Sequence, residues 1–114
     1  MTDDSGRALA VAEREILAAL LELPIRHGWR LRAEAERLRV RAVCGCGCPT
    51  VYFTDGPVGG TELVAEAEVA GTDGDVVLLF ASASGVDSLE YVWLGDLPPT
   101  GWPPAGSLIN LRVR

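Results

Sequence analysis

Leu63-Val64-Ala65-Glu66-Ala67-Glu68-Val69, then Thr72-Asp73-Gly74-Asp75 and Val76-Val77-Leu78-Leu79-Phe80, is the stretch that decides the fold. Leu63, Ala65, Ala67 and Val69 fall on one side of an extended chain, while Glu62, Glu66 and Glu68 fall on the water side. The Asp-Gly pair is a hairpin signal, and the unbroken apolar run after it reads as a central strand. Ser84-Gly85 turns the chain again, and Leu89, Tyr91 and Trp93 alternate with Glu90 and Val92. The result is an antiparallel meander.

Upstream the period changes. Leu9, Ala12, Ile16, Ala19, Leu20 and Leu23 recur at three- and four-residue spacing, which predicts a helix from about Arg7 to Leu23, capped by Ser5 or Asp4 and stopped by Pro24. A second helix follows from about Trp29 to Arg37, with Leu31, Ala35 and Leu38 facing inward. Val40, Val43, Val51, Tyr52 and Phe53 then flank a cysteine run, as one strand split by a turn or bulge at residues 44–49. Residues 55–60 are a loop by composition. Four prolines within residues 97–104 forbid helix and ladder pairing, so residues 97–107 form an extended arm, and Leu108 to Val113 a last edge strand. Helices at one end and strands after them predict an α+β fold, with two N-terminal helices packed on one face of a mostly antiparallel sheet of four to five strands. The whole of 1–114 reads as one domain, with 1–6 outside its ordered part.

Composition narrows the function classes. The chain has 10 basic residues, all arginine, against 16 acidic ones, for a net charge of −6. Arg26, Arg30, Arg32, Arg37, Arg39 and Arg41 fall in one short stretch, whereas the region from Asp55 to Asp96 holds acids and no base. Such a chain carries a basic patch on an acidic body. No apolar run is long enough to cross a bilayer, and the acidic start lacks the features of a signal peptide, so a cytoplasmic protein without a membrane role is expected. The acidic total and the scarcity of interleaved aromatics argue against nucleic acid as the partner of the arginines.

The only cysteines lie in Cys44-Gly45-Cys46-Gly47-Cys48-Pro49. Extended, this run would place all three sulfurs on one face. Three readings compete. As packing, the cysteines are small apolar fillers beneath the helices, the reading the sequence favours. As ligands, Cys44, Cys46 and Cys48, with His27 as a fourth, could hold zinc or Cu(I), although one-residue spacing is poor for a tetrahedral site. As a redox pair, i and i+2 lie about 6.6 Å apart in a strand, so a disulfide would be strained and easily reduced.

No catalytic set accompanies them. Ser82, Ser84 and Ser88 lack a nucleophile elbow, and no glycine-rich phosphate fingerprint is present. The reading leans away from an enzyme, toward a small interaction protein. It would act through an acidic sheet face of Glu62, Glu66 and Glu68, toward a basic protein partner or a second copy of itself. An immunity- or antitoxin-like inhibitor belongs to this class. Trp102, framed by Gly101 and Pro103-Pro104, is either a plug pinning the arm across the sheet or an exposed anchor for that partner.

Cys46-Gly47-Cys48-Pro49-Thr50-Val51, Leu89-Glu90-Tyr91-Val92-Trp93, Gly95-Asp96-Leu97-Pro98-Pro99 and Trp102-Pro103 together resemble a group of small actinobacterial proteins. Members of that group pair a short helical start with a Cys-Gly-Cys-Pro segment, an aromatic strand and a Pro-Pro…Trp-Pro tail. The resemblance implies the domain limits and no activity.

Overall fold

A computed structural model describes residues 6–55 and 59–114. The proposed caps Ser5 and Asp4, and residues 56–58 of the loop, lie outside the described residues. The chain runs through β1 (Arg7–Ala8), α1 (Val11–Leu21), α2 (Gly28–Ala35), β2 (Arg39–Val40), β3 (Ala42–Val43), β4 (Val51–Tyr52), β5 (Glu62–Val69), β6 (Val76–Ser82), β7 (Gly85–Val92), a 3₁₀ turn at Ala105–Ser107 and β8 (Leu108–Val113). It is an α+β protein. β3 to β8 form a six-stranded antiparallel sheet in the order β3-β4-β7-β6-β5-β8, and β1 pairs with β2 in a two-stranded one. The sheet exceeds the expected four to five strands because the cysteine run is not one interrupted strand. It reverses the chain, so residues on either side of it become separate strands, β3 and β4.

The first helix starts later than expected. Arg7 and Ala8 pair with Val40 and Arg39, and the helix begins only at Val11. Glu13 explains the start. Its carboxylate accepts the Ala10 backbone N–H at 2.8 Å and pairs with both terminal nitrogens of Arg7, each at 2.8 Å. The charge thus serves the first turn of α1, where orphan N–H groups favour an anion. Gly6, expected outside the ordered part, is held too: its carbonyl accepts a bond from Arg39, and any Cβ on it would strike the Val40 carbonyl.

Ile16, Leu17, Leu20 and Leu21 of α1 are buried, with Leu31 of α2, against Ala65, Ala67, Val77, Leu79, Leu89 and Tyr91 of the sheet. Leu17 and Leu21 widen the expected stripe, because α1 packs on the sheet, on α2 and on the 3₁₀ turn together. Ala12 and Ala19 lie at its margin, half-buried. The helices cover one face of the sheet only.

Alternation then assigns the opposite face. Tyr52, Ser88 and Phe80 lie across from one another there, as do Glu90, Leu78, Glu66 and Arg112. One expectation fails on this point. The β5–β6 register shifts between Leu63 and Ala65, so Leu63 pairs with Phe80 on the outer face and Glu62 with Ala81 on the helix-bearing one. A bulge inserts one residue and reverses the alternation beyond it. Glu62 is therefore not on the same face as Glu66 and Glu68.

Candidate metal centre

β3 and β4 are both two residues long, and the seven residues between them form a closed hairpin loop. The Cys44 N–H donates to the Thr50 carbonyl at 3.3 Å, and the Gly47 N–H donates back to the Cys44 carbonyl at 3.3 Å. Gly47 has φ +88, a left-handed value that glycine reaches without steric cost. Thr50 is buried and fastens the far end, accepting the Tyr91 N–H on its hydroxyl at 3.0 Å. The loop is therefore tied to the central strand β7 while its tip faces solvent.

This turn draws the sulfurs together. Cys44 Sγ and Cys46 Sγ are 2.8 Å apart, the Cys48 N–H donates to Cys46 Sγ at 3.4 Å, and all three sulfurs lie within 4.8 Å of one another. They are free thiols. Cys48 is buried, Cys44 half-buried and Cys46 exposed. The expectation that the cysteines are fillers beneath the helices is thus met by Cys48 at most. Two glycines allow a tight reversal in which the side chains converge at the sheet edge, and strand geometry no longer applies.

The electrostatics distinguish the thiols. Burial alone would raise Cys48, but hydrogen bonds from Cys46, from the Thr50 hydroxyl and amide and from Cys44 bring it down to about 7, against 9.0 ordinarily. Cys46 is pushed up to about 11, chiefly by its hydrogen bond to Cys44 and then by that to Cys48. The neighbouring donors thus favour the thiolate form of Cys48. Tyr52 lies beside it on the outer face: its phenol is raised by burial first, then by Glu90 and the three cysteines.

The other expected site residues are placed elsewhere. His27 precedes α2 in a left-handed conformation, φ 59, and lines a groove with Arg26 and Glu34; it is not in the sulfur cluster. Glu66 accepts Arg112 Nε at 2.7 Å and Arg114 at 3.5 Å, and Glu68 meets Arg112 at 3.6 Å and Asn110 Nδ2 at 3.1 Å. With Glu62 on the other face, the three carboxylates do not form one acidic surface. Trp102 is half-buried and meets Tyr91 edge-on, with ring centroids 5.9 Å apart, so it pins the arm over the helix-bearing face. Thr50 was missed by sequence reasoning; its one signal was its place at the junction of loop and strand. Comparison with protein-family models, with curated proteins and with solved structures gives no match.

Proposed function

We propose that the protein binds a soft, thiophilic metal ion through Cys44, Cys46 and Cys48, with Cu(I) in trigonal coordination as the best fit. The single observation that carries this is the convergence of three free sulfurs within 4.8 Å on a loop anchored at both ends. Three thiolates at a bond length of about 2.3 Å need sulfur separations of about 3.8–4.0 Å. The observed spread brackets that value, so side-chain rotation suffices to close around an ion. Three ligands complete a trigonal cuprous site, whereas structural zinc calls for a fourth. Among the described residues no histidine or carboxylate joins the cluster. The exposed Cys46 leaves one side of the ion open to exchange, and the core is built without it. Binding and handing on therefore suit this site better than a structural role.

The test is anaerobic titration of the reduced protein with Cu(I) against a competing chromophoric chelator, read by sulfur-to-metal charge transfer in the ultraviolet. One ion per chain is expected in the parent, with tight binding lost in the C44S/C46S/C48S variant. Equal metal retention by parent and variant would refute the reading. Zinc held more tightly than Cu(I), with cobalt substitution showing tetrahedral bands, would replace the ion while keeping the site.

A further inference from the structure

A second feature lies at the other end of the molecule, and it stands independently of the thiols. A groove of about 850 Å³ runs between α2 and the ends of β5, β6, β7 and β8. This is the size range of small-molecule sites. Its floor is apolar: Ile25, Leu31 and Ala81 are buried and Val64 is half-buried. Its helix side presents Arg30 of α2, with Arg26 just before the helix and Arg37 just after it.

The state of these arginines separates them from an ordinary charged surface. At i and i+4, or i and i+3, Glu34 would be the natural partner of Arg30 and Arg37. Its carboxylate turns to the sheet, where both oxygens accept the Val86 N–H at 3.2 and 3.3 Å, and it acts on Arg30 and Arg37 only through space, without a direct ion pair. Among the described residues, none of the three arginines has an ion-pair partner. Arg7, Arg41, Arg112 and Arg114 are all ion-paired. The groove thus gathers three guanidiniums that make no direct ion pair, with the carboxylates of Glu34 and Glu62 also in its lining, on a chain of net charge −6.

We infer that this groove binds a small organic phosphate monoester, its dianion held by Arg26, Arg30 and Arg37 and its apolar portion on Ile25, Leu31 and Val64. Guanidinium forks match phosphate oxygens bidentately, and two or three of them suit a dianion better than a single carboxylate. The net negative charge of the chain disfavours a long polyanion. The Ser84 side of the β6–β7 turn closes the opposite wall.

Phenyl phosphate is the probe, titrated into the isotope-labelled full chain and followed by amide shifts, with inorganic phosphate and phenol as comparisons. Saturable shifts are expected at residues 25–37 and 82–85, with phenyl phosphate binding more tightly than either comparison. Each charge-assisted contact is worth about 1.5–3 kcal/mol, so R30Q/R37Q weakens binding by at least about tenfold. Both side chains are exposed, and circular dichroism checks that the variant keeps its fold. Shifts scattered over the surface, or equal affinity in R30Q/R37Q, would overturn the site. An oligonucleotide that binds more tightly than phenyl phosphate would overturn the small-ligand assignment. The C44S/C46S/C48S variant binds the probe as the parent does; a lost response there would refute the independence of the two sites.

Discussion

Gly85 is where helix and sheet meet most closely, and Gly85→Ala is the substitution whose effect the structure specifies best. Two terms act. The residue has φ +126, a region that costs a side-chain-bearing residue about 1–3 kcal/mol. A Cβ there would also fall on the Glu34 carboxylate, which is half-buried and cannot stay in place. Its displacement removes the bonds to the Val86 N–H, worth about 1.5–3 kcal/mol for a charged acceptor. The sum is about 2.5–6 kcal/mol, a large part of the ~5–15 kcal/mol that holds a domain of this size. In melting temperature that is a fall of roughly 10–25 °C. Urea denaturation of the parent, G85A, E34A and the double variant forms a cycle. E34A alone removes only the bond, and the double variant should be little worse than G85A, because the clash has gone with the carboxylate. The coupling should therefore be about 1.5–3 kcal/mol. A G85A loss below about 1 kcal/mol, or additive single effects, would refute the reasoning.

Three further outcomes follow from the same contacts. Replacing Cys44 or Cys46 by serine should change the metal-free stability by less than about 0.5 kcal/mol, whereas Cys48→Ala should cost about 1 kcal/mol; urea midpoints distinguish them. Burial would raise Glu13, but the bonds from Arg7 and the Ala10 amide outweigh it and hold its pKa below the ordinary 4.5. Its stabilisation is thus present above the unfolded value and lost as pH falls through the folded one. Arg7 is half-exposed, so Glu13→Gln should cost only about 1–2 kcal/mol at pH 7, and the gap to the parent should close in acid-denaturation curves. Trp102→Ala should cost about 2–3 kcal/mol, less than a fully buried tryptophan, and should free the arm to proteolysis between residues 97 and 104.

The helices-then-strands order, the Asp-Gly hairpin and the inward residues of β6 and β7 were legible because each follows from a local period. The early end of the alternation in β5 was not, since a bulge at Val64 depends on the register with β6 and leaves no mark in the residues themselves. β1 and the true start of α1 were hidden for a similar reason. Arg7 looks like a helix residue until Glu13, six residues on, is seen to take both its guanidinium nitrogens and the Ala10 amide. At the cysteines the residue types were plain but the conformation was not. Alternating glycine fits either an extended strand or a tight loop, and only the pairing of Ala42–Val43 with Val51–Tyr52 selects the loop. One-residue spacing counted against a tetrahedral site; the loop brings the three sulfurs within 4.8 Å, an arrangement open to a three-ligand one.

The placement of the charges tells where function can reside. Glu66 and Glu68 face a sheet side with no helix on it, and there they meet Arg112 and Arg114 of the edge strand β8. Asn110, at φ 52, breaks the regularity of that strand between its two paired segments and reaches Glu68. An irregular, charge-laced edge discourages pairing with another chain, as natural edge strands commonly do. The acids that composition marks as an interaction surface are thereby spent on protecting β8. The two proposed sites lie elsewhere: thiols bonded mainly to one another at the β3–β4 edge, and Arg26, Arg30 and Arg37 beside Glu34, whose carboxylate accepts the Val86 N–H. Both proposed sites therefore lie at the ends of the strands, away from the ion-paired acids of the outer face.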